Sequence, residues 1–141
     1  MNLMYKRILL AADGSEHSKR SAQHAIELAL KFDSVVDLVY VVDGDTSKYD
    51  VLHHGNTIER EEARKKRVHP LDEMLEESGV SHNIHMLHGE PGPMIIDYSE
   101  ELQSDLIVIG SRGLNSLQTM ILGSVSHKVV KHAKCPVIVI K

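Results

Sequence analysis

A single cysteine, Cys135, rules out an internal disulfide framework. Long apolar runs are missing as well. No stretch approaches the roughly 18 apolar residues of a membrane span, so no membrane partner is expected. Positive charge is not in excess. The formal net charge of −4 argues against a nucleic-acid surface. The opening MNLMYKRILLAADGS does not read as a secretory leader, because its apolar run is short and ends at Asp13 without a small-residue cleavage site. These absences lead to the expectation of a cytoplasmic protein with one domain over residues 1–141.

What is present alternates. The runs YKRILLAA, VVDLVYVV, HNIHML, DLIVIG and PVIVIK read as five strands. Ile8–Leu10, Ile107–Ile109 and Val137–Ile140 are continuously apolar, the pattern of strands buried on both faces. Between the runs lie four helical patterns. The first places Ala22, Ala25, Ile26, Ala29 and Leu30 on one stripe, with Ser15 as its expected N-cap. The second starts at the capping-box-like Asn56–Glu59 and ends at Ser78–Gly79. Pro70 lies inside it and predicts a kink or break near Val68–His69. The third opens on Pro91 and Pro93 and turns Ile95, Tyr98 or Ser99, and Leu102 inward. The fourth begins near Ser124 and turns Val125, Val129, Val130 and Ala133 inward.

Strict alternation predicts a three-layer α/β/α fold with a five-stranded, parallel, doubly wound sheet. The expected strand order is 3-2-1-4-5. The stretch from Asp43 to Thr57 reads as one long irregular loop at the carboxyl edge of the sheet, where such folds bind ligands. Asp43 reads as a solvated turn aspartate and only a weaker acidic candidate. The chain holds ten histidines. On a strand, His82 and His88 share one face and His85 takes the other, so the three do not converge as metal ligands and read as surface residues.

The segment GSRGLNSLQTMILGSVS, residues 110–126, carries the chemistry. It contains no G-x-x-x-x-G-K-[ST] loop, and no G-x-G-x-x-G follows the first strand. Gly110 and Gly113 permit positive φ and a close backbone approach. Gly123–Ser126 opens a helix whose free N–H groups suit an anion, with Ser124 and Ser126 as further hydroxyl donors. Arg112 suits phosphate too. Taken alone, the same residues fit two turns and an N-cap equally well. Asp13, closing the first strand, fits either a ligand role or a turn. No nucleophile elbow or aimed base is evident, so no catalytic residue is assigned.

YKRILLAADGSEHS, the element order and the complete G-x2-G-x9-G-S pattern of Gly110, Gly113, Gly123 and Ser124 together resemble the universal stress protein family, and within it the ATP-binding branch. The resemblance spans essentially the whole chain. It implies a nucleotide-dependent stress-response regulator or sensor with at most slow ATP hydrolysis. Asp13 would lie near ribose and phosphates, beside a Mg²⁺ or Mn²⁺ carried by the nucleotide. The Val41 backbone would read the adenine edge, while its side chain also fits the core. Ala11 and Ala12 would leave room for the nucleotide. Gly110, Arg112 and Gly113 would hold ribose or phosphate from one side, and Gly123, Ser124, Val125 and Ser126 from the other. Arg112 also fits an exposed, outward-pointing role. The resemblance further implies a homodimer through the last strand, Val137, Ile138, Val139 and Ile140. Three alternatives stay open: an ATP-hydrolysing enzyme, a protein-interaction module, and binding of AMP or a cyclic nucleotide in place of ATP.

Overall fold

The computed structural model describes residues 4–111 and 123–141. Five strands appear where the apolar runs predict them: β1 Arg7–Ala12, β2 Val35–Val42, β3 His82–His88, β4 Leu106–Gly110 and β5 Val137–Ile140. All pair in parallel, in the order β3-β2-β1-β4-β5. The expected order therefore holds. The order of strand addition reverses at β1, which has β2 on one side and β4 on the other.

The alternation of strand side chains divides the core into two layers. Ile8, Leu10, Val36, Leu38, Leu106 and Val108 face helices α1 (His17–Phe32) and α3 (Thr57–Ser78). Leu9, Ala11, Val39, Ile107 and Ile109 face α4 (Pro91–Glu101) and α5 (Ser124–His132). Ile8, Leu9 and Leu10 are completely shielded from solvent. Each such side chain contributes about 1.5–3 kcal/mol by leaving water.

The structure corrects several expectations. Among the described residues there are five helices, not four. The Asp43–Thr57 stretch holds α2, Gly44–His53, in place of an irregular loop. Asp43 caps it, accepting from the Thr46 N–H at 2.8 Å. Only Asp50 of α2 is buried, so no apolar stripe announces this helix. Pro70 does not break α3, which runs unbroken from Thr57 to Ser78. Val68, Leu71 and Leu75 are buried on either side of the proline and hold both halves on the sheet. The helix ends as expected at Gly79, whose φ of 78° is left-handed.

Ser15 does not cap α1. The N-cap position is Glu16, without a side-chain cap bond, and Ser15 offers its carbonyl to the Ser18 N–H. Two stripe residues face out: Leu30 is 60% exposed and Val130 46%. Each lies at the margin of its helix's apolar arc, where a small rotation moves it from core to solvent. His82 and His85 are not surface residues. Their side chains are 10% and 19% exposed and each pairs with a carboxylate, Asp72 and Asp37 respectively.

Candidate functional site

A pocket of about 450 Å³ opens at the carboxyl edge of the sheet, where the strand order reverses. Such a volume suits a small organic ligand. Ala11, Ala12 and Asp13 enter it from the end of β1, Tyr40, Val41 and Asp43 from the end of β2, and Ile109, Gly110 and Ser111 from β4. Helical first turns supply His17 and Ser18, Asp45 and Thr46, Pro91, and Ser124 to Ser126 with the preceding Gly123. In a parallel sheet every crossover helix starts at this edge, so several positive dipole ends converge on the pocket.

The loop after β1 is a tight local network. Asp13 Oδ1 accepts from the Ser15 N–H at 2.9 Å and the Ser18 hydroxyl at 2.8 Å. Ser18 Oγ in turn accepts from the Asp13 N–H at 3.2 Å. Asp13 thus serves as a turn former and lines the pocket as well. Gly14 follows with φ 82°, a conformation in which a side chain would be strained. Gly14 is thus a positive-φ glycine beside the pocket. Gly110 is the last residue of β4 and does not adopt positive φ.

The two halves of the glycine segment touch. The Gly123 N–H donates to the Ser111 carbonyl at 2.9 Å, which fastens the start of α5 to the end of β4. A Cβ on Gly123 would come 3.3 Å from that carbonyl oxygen and press it back by a few tenths of an ångström, so the glycine favours the close approach, while its φ of −64° suits any residue. The α5 N-terminus has no side-chain cap, and its first-turn N–H groups stay available to an anion. Ser126 is not a free donor, because its hydroxyl donates to the Gly123 carbonyl at 3.0 Å. Ser124 is exposed, Val125 half-buried and Ser126 buried. Arg112 and Gly113 lie outside the described residues.

Nine residues chosen from sequence thus share one pocket: Ala11, Ala12, Asp13, Val41, Gly110, Gly123, Ser124, Val125 and Ser126. Sequence reasoning missed His17, Ser18, Tyr40, Asp45, Thr46, Pro91, Ile109 and Ser111. The Asp43–Thr46 capping spacing could have found the α2 wall. His17 carried no such signal: its Nε2 meets the Ile140 carbonyl at 2.9 Å, a contact 123 residues away in sequence.

That α2 wall is held from behind. Asp50 accepts from Arg64 Nε at 3.1 Å and from both terminal nitrogens of Arg67. The Arg67 hydrogen bond is the main cause of an Asp50 pKa below the ordinary carboxylate range. Burial opposes it, and Arg64 and the two positive charges add to it. Among the described residues, no group of three or more His, Cys, Asp or Glu side chains is placed to hold a metal ion. No helix among them is long and apolar enough to cross a membrane.

The model of the universal stress protein family matches residues 4–141. A universal stress protein of Methanocaldococcus jannaschii is 37% identical over 145 aligned positions, covering 98% of this chain and 83% of the relative. The structure of the universal stress protein UspA from Lactobacillus plantarum superposes with a TM-score of 0.80 at 28% identity, covering 99% of this chain and 100% of the other. A universal stress protein from Archaeoglobus fulgidus, solved in complex with dAMP, superposes with a TM-score of 0.73 at 26% identity, again covering 99% and 100%. Pocket position, strand order and these similarities converge: the chain belongs to the universal stress protein family.

Proposed function

We propose that this protein binds an adenine nucleotide at the carboxyl edge of its sheet and acts as a nucleotide-dependent stress-response regulator. One observation carries the reading. Ala11–Asp13, Val41, Gly110 and Gly123–Ser126 come from separate segments and line a single pocket of about 450 Å³. The dAMP complex of the similar Archaeoglobus fulgidus protein supports the same ligand class.

ATP with Mg²⁺ or Mn²⁺ is the ligand we favour. The uncapped α5 N-terminus and the close Gly123–Ser111 junction form a backbone cradle for phosphate. The ionisable carboxylates lining the pocket are Asp13, Asp43 and Asp45. A polyphosphate beside them needs a cation to offset repulsion. Asp13 is the residue we assign to that cation, through Oδ2, which has no protein donor among the described residues. The Val41 backbone at the end of β2 would read the base. Arg112 and Gly113 would complete the phosphate grip. Binding with at most slow hydrolysis is the activity we assign, because the hydroxyl–carboxylate pair at the pocket, Ser18 with Asp13, is taken up in the turn after β1, where Ser18 Oγ also accepts from the Asp13 N–H. The end of β5, with Val137 to Ile140, lies at the sheet edge and is the surface we assign to a two-fold homodimer.

Calorimetry with ATP and AMP, with and without Mg²⁺, tests the reading. Binding is expected with the wild-type protein. Gly123→Val is expected to lower affinity at least about tenfold while the fold persists. Absence of any adenine-nucleotide binding at millimolar ligand defeats the proposal. Unchanged affinity in Gly123→Val removes the cradle from it.

A further inference from the structure

The helix α2 carries part of the pocket wall, yet it has almost no hydrophobic hold on the rest of the protein. Its first turn supplies Asp45 and Thr46 to the pocket, and Asp43 caps it there. Tyr49, Val51 and Leu52 are 52%, 56% and 81% exposed. The one buried residue is Asp50, whose side chain is fully shielded. A ten-residue helix of this kind is marginal in water unless tertiary contacts hold it. Here the hold is ionic. Arg64 and Arg67 stand three residues apart on α3, so they share a face, and both reach Asp50.

Arg67 also joins the other walls. Its Nη1 donates to the Tyr40 hydroxyl at 3.3 Å, and Tyr40 lines the pocket from the end of β2. Its aliphatic stem lies under the loop after β1, where a Cβ on Gly14 would meet Arg67 Cβ at 3.5 Å. Asp50, Arg64 and Arg67 do not themselves line the pocket. Three walls therefore meet on one arginine behind the site: the β1–α1 loop on its aliphatic stem, and the β2 end and α2 on its guanidinium.

We propose that Asp50, clasped by Arg64 and Arg67, is a positioning residue that sets α2 as a wall of the ligand pocket and so sets affinity for the nucleotide without touching it. The inference rests on the nucleotide reading for its affinity arm and on geometry alone for its structural arm. A carboxylate removed from this clasp leaves two cations without their buried partner, and α2 loses the tie made by its one buried residue. The position of α2 that can bind ligand then becomes a minority state, and apparent affinity falls by that fraction.

The test compares Asp50→Asn and Arg64→Ala with wild type and with Leu75→Val, a control that loosens the α3 core away from the clasp. Amide hydrogen exchange over residues 44–53 reports the wall, and calorimetry with AMP and with Mg²⁺–ATP reports affinity. The expected result is faster exchange in α2 and affinity lower by about tenfold in Asp50→Asn, with a smaller change of the same kind in Arg64→Ala. Leu75→Val should lower the melting temperature and leave affinity and α2 exchange unchanged. Wild-type α2 exchange in both clasp variants overturns the proposal, as does released α2 with wild-type affinity, or lost affinity with α2 still protected. If wild type binds no nucleotide, the ligand reading fails. The exchange arm then decides the clasp on its own.

Discussion

His82 makes a prediction that the geometry states almost without chemistry. It is the first residue of β3, and its ring is wedged between the end of α3 and the strand. Nδ1 lies 2.9 Å from the Val80 carbonyl and Nε2 lies 2.9 Å from Asp72 Oδ1. Both partners only accept hydrogen bonds, the carboxylate being ionised, so both ring nitrogens must donate. Only the imidazolium can do that. Burial of the ring opposes its charge. The Val80 carbonyl, the Asp72 hydrogen bond and the charges of Asp72 and Glu76 together outweigh it, and the His82 pKa is raised above its ordinary value.

The sign follows. A group whose pKa is higher in the folded state adds stability that is complete below the unfolded value, about 6.5 for histidine, and is lost as pH rises through the folded value. Deprotonation removes one donor and leaves a ring lone pair facing an acceptor. One charge-assisted bond is worth about 1.5–3 kcal/mol. Asp72 is 40% and Glu76 81% exposed, so solvent screening brings the expected effect to about 1 kcal/mol. Urea unfolding of wild type and His82→Gln from pH 5.5 to 9 measures it. The stability gap between the two is expected to be about 1 kcal/mol wider at the acid end than at the alkaline end. Taking the difference cancels the other nine histidines to first order. A gap that stays constant across this range, or widens with pH, refutes the doubly donating ring.

Two further outcomes are expected. Asp37 is fully buried and receives Arg7, Asn83 and His85, so Asp37→Ala should destabilise the fold by about 3 kcal/mol by leaving those donors unmatched. Chemical denaturation checks this, and a loss below about 1 kcal/mol would show that the cluster is dispensable. The β5 edge predicts twice the chain mass in light scattering and a monomer for Val137→Lys with unchanged circular dichroism. A monomeric wild type removes the dimer assignment.

The sheet was legible because its signal is apolar and local. Ile8–Leu10 and Ile107–Ile109 are buried on both faces, and sequences of that kind read the same way in isolation. The helix α2 was not legible, because a carboxylate and two arginines from another helix hold it. Hydrophobic periodicity has no term for such a contact. Pro70 misled for a related reason: the local rule was sound, but burial of Val68, Leu71 and Leu75 outweighs one missing hydrogen bond. In the pocket, the backbone positions Gly110 and Gly123–Ser126 were found through spacing. His17 and Tyr40 arrive there by tertiary packing, which spacing does not encode. Gly123 was found for an incomplete reason, since the constraint is the approach of the Ser111 carbonyl.

One carbonyl ties the edge strand β5 to the pocket. The Ile140 oxygen accepts from the Ser111 N–H at 2.8 Å and meets His17 Nε2 at 2.9 Å. Both of those residues line the pocket. These two pocket residues lack their shared acceptor unless β5 is docked beside β4. The pocket is therefore finished only when β5 has paired with β4. A chain truncated before Ile140 leaves His17 and Ser111 without the carbonyl that both of them meet.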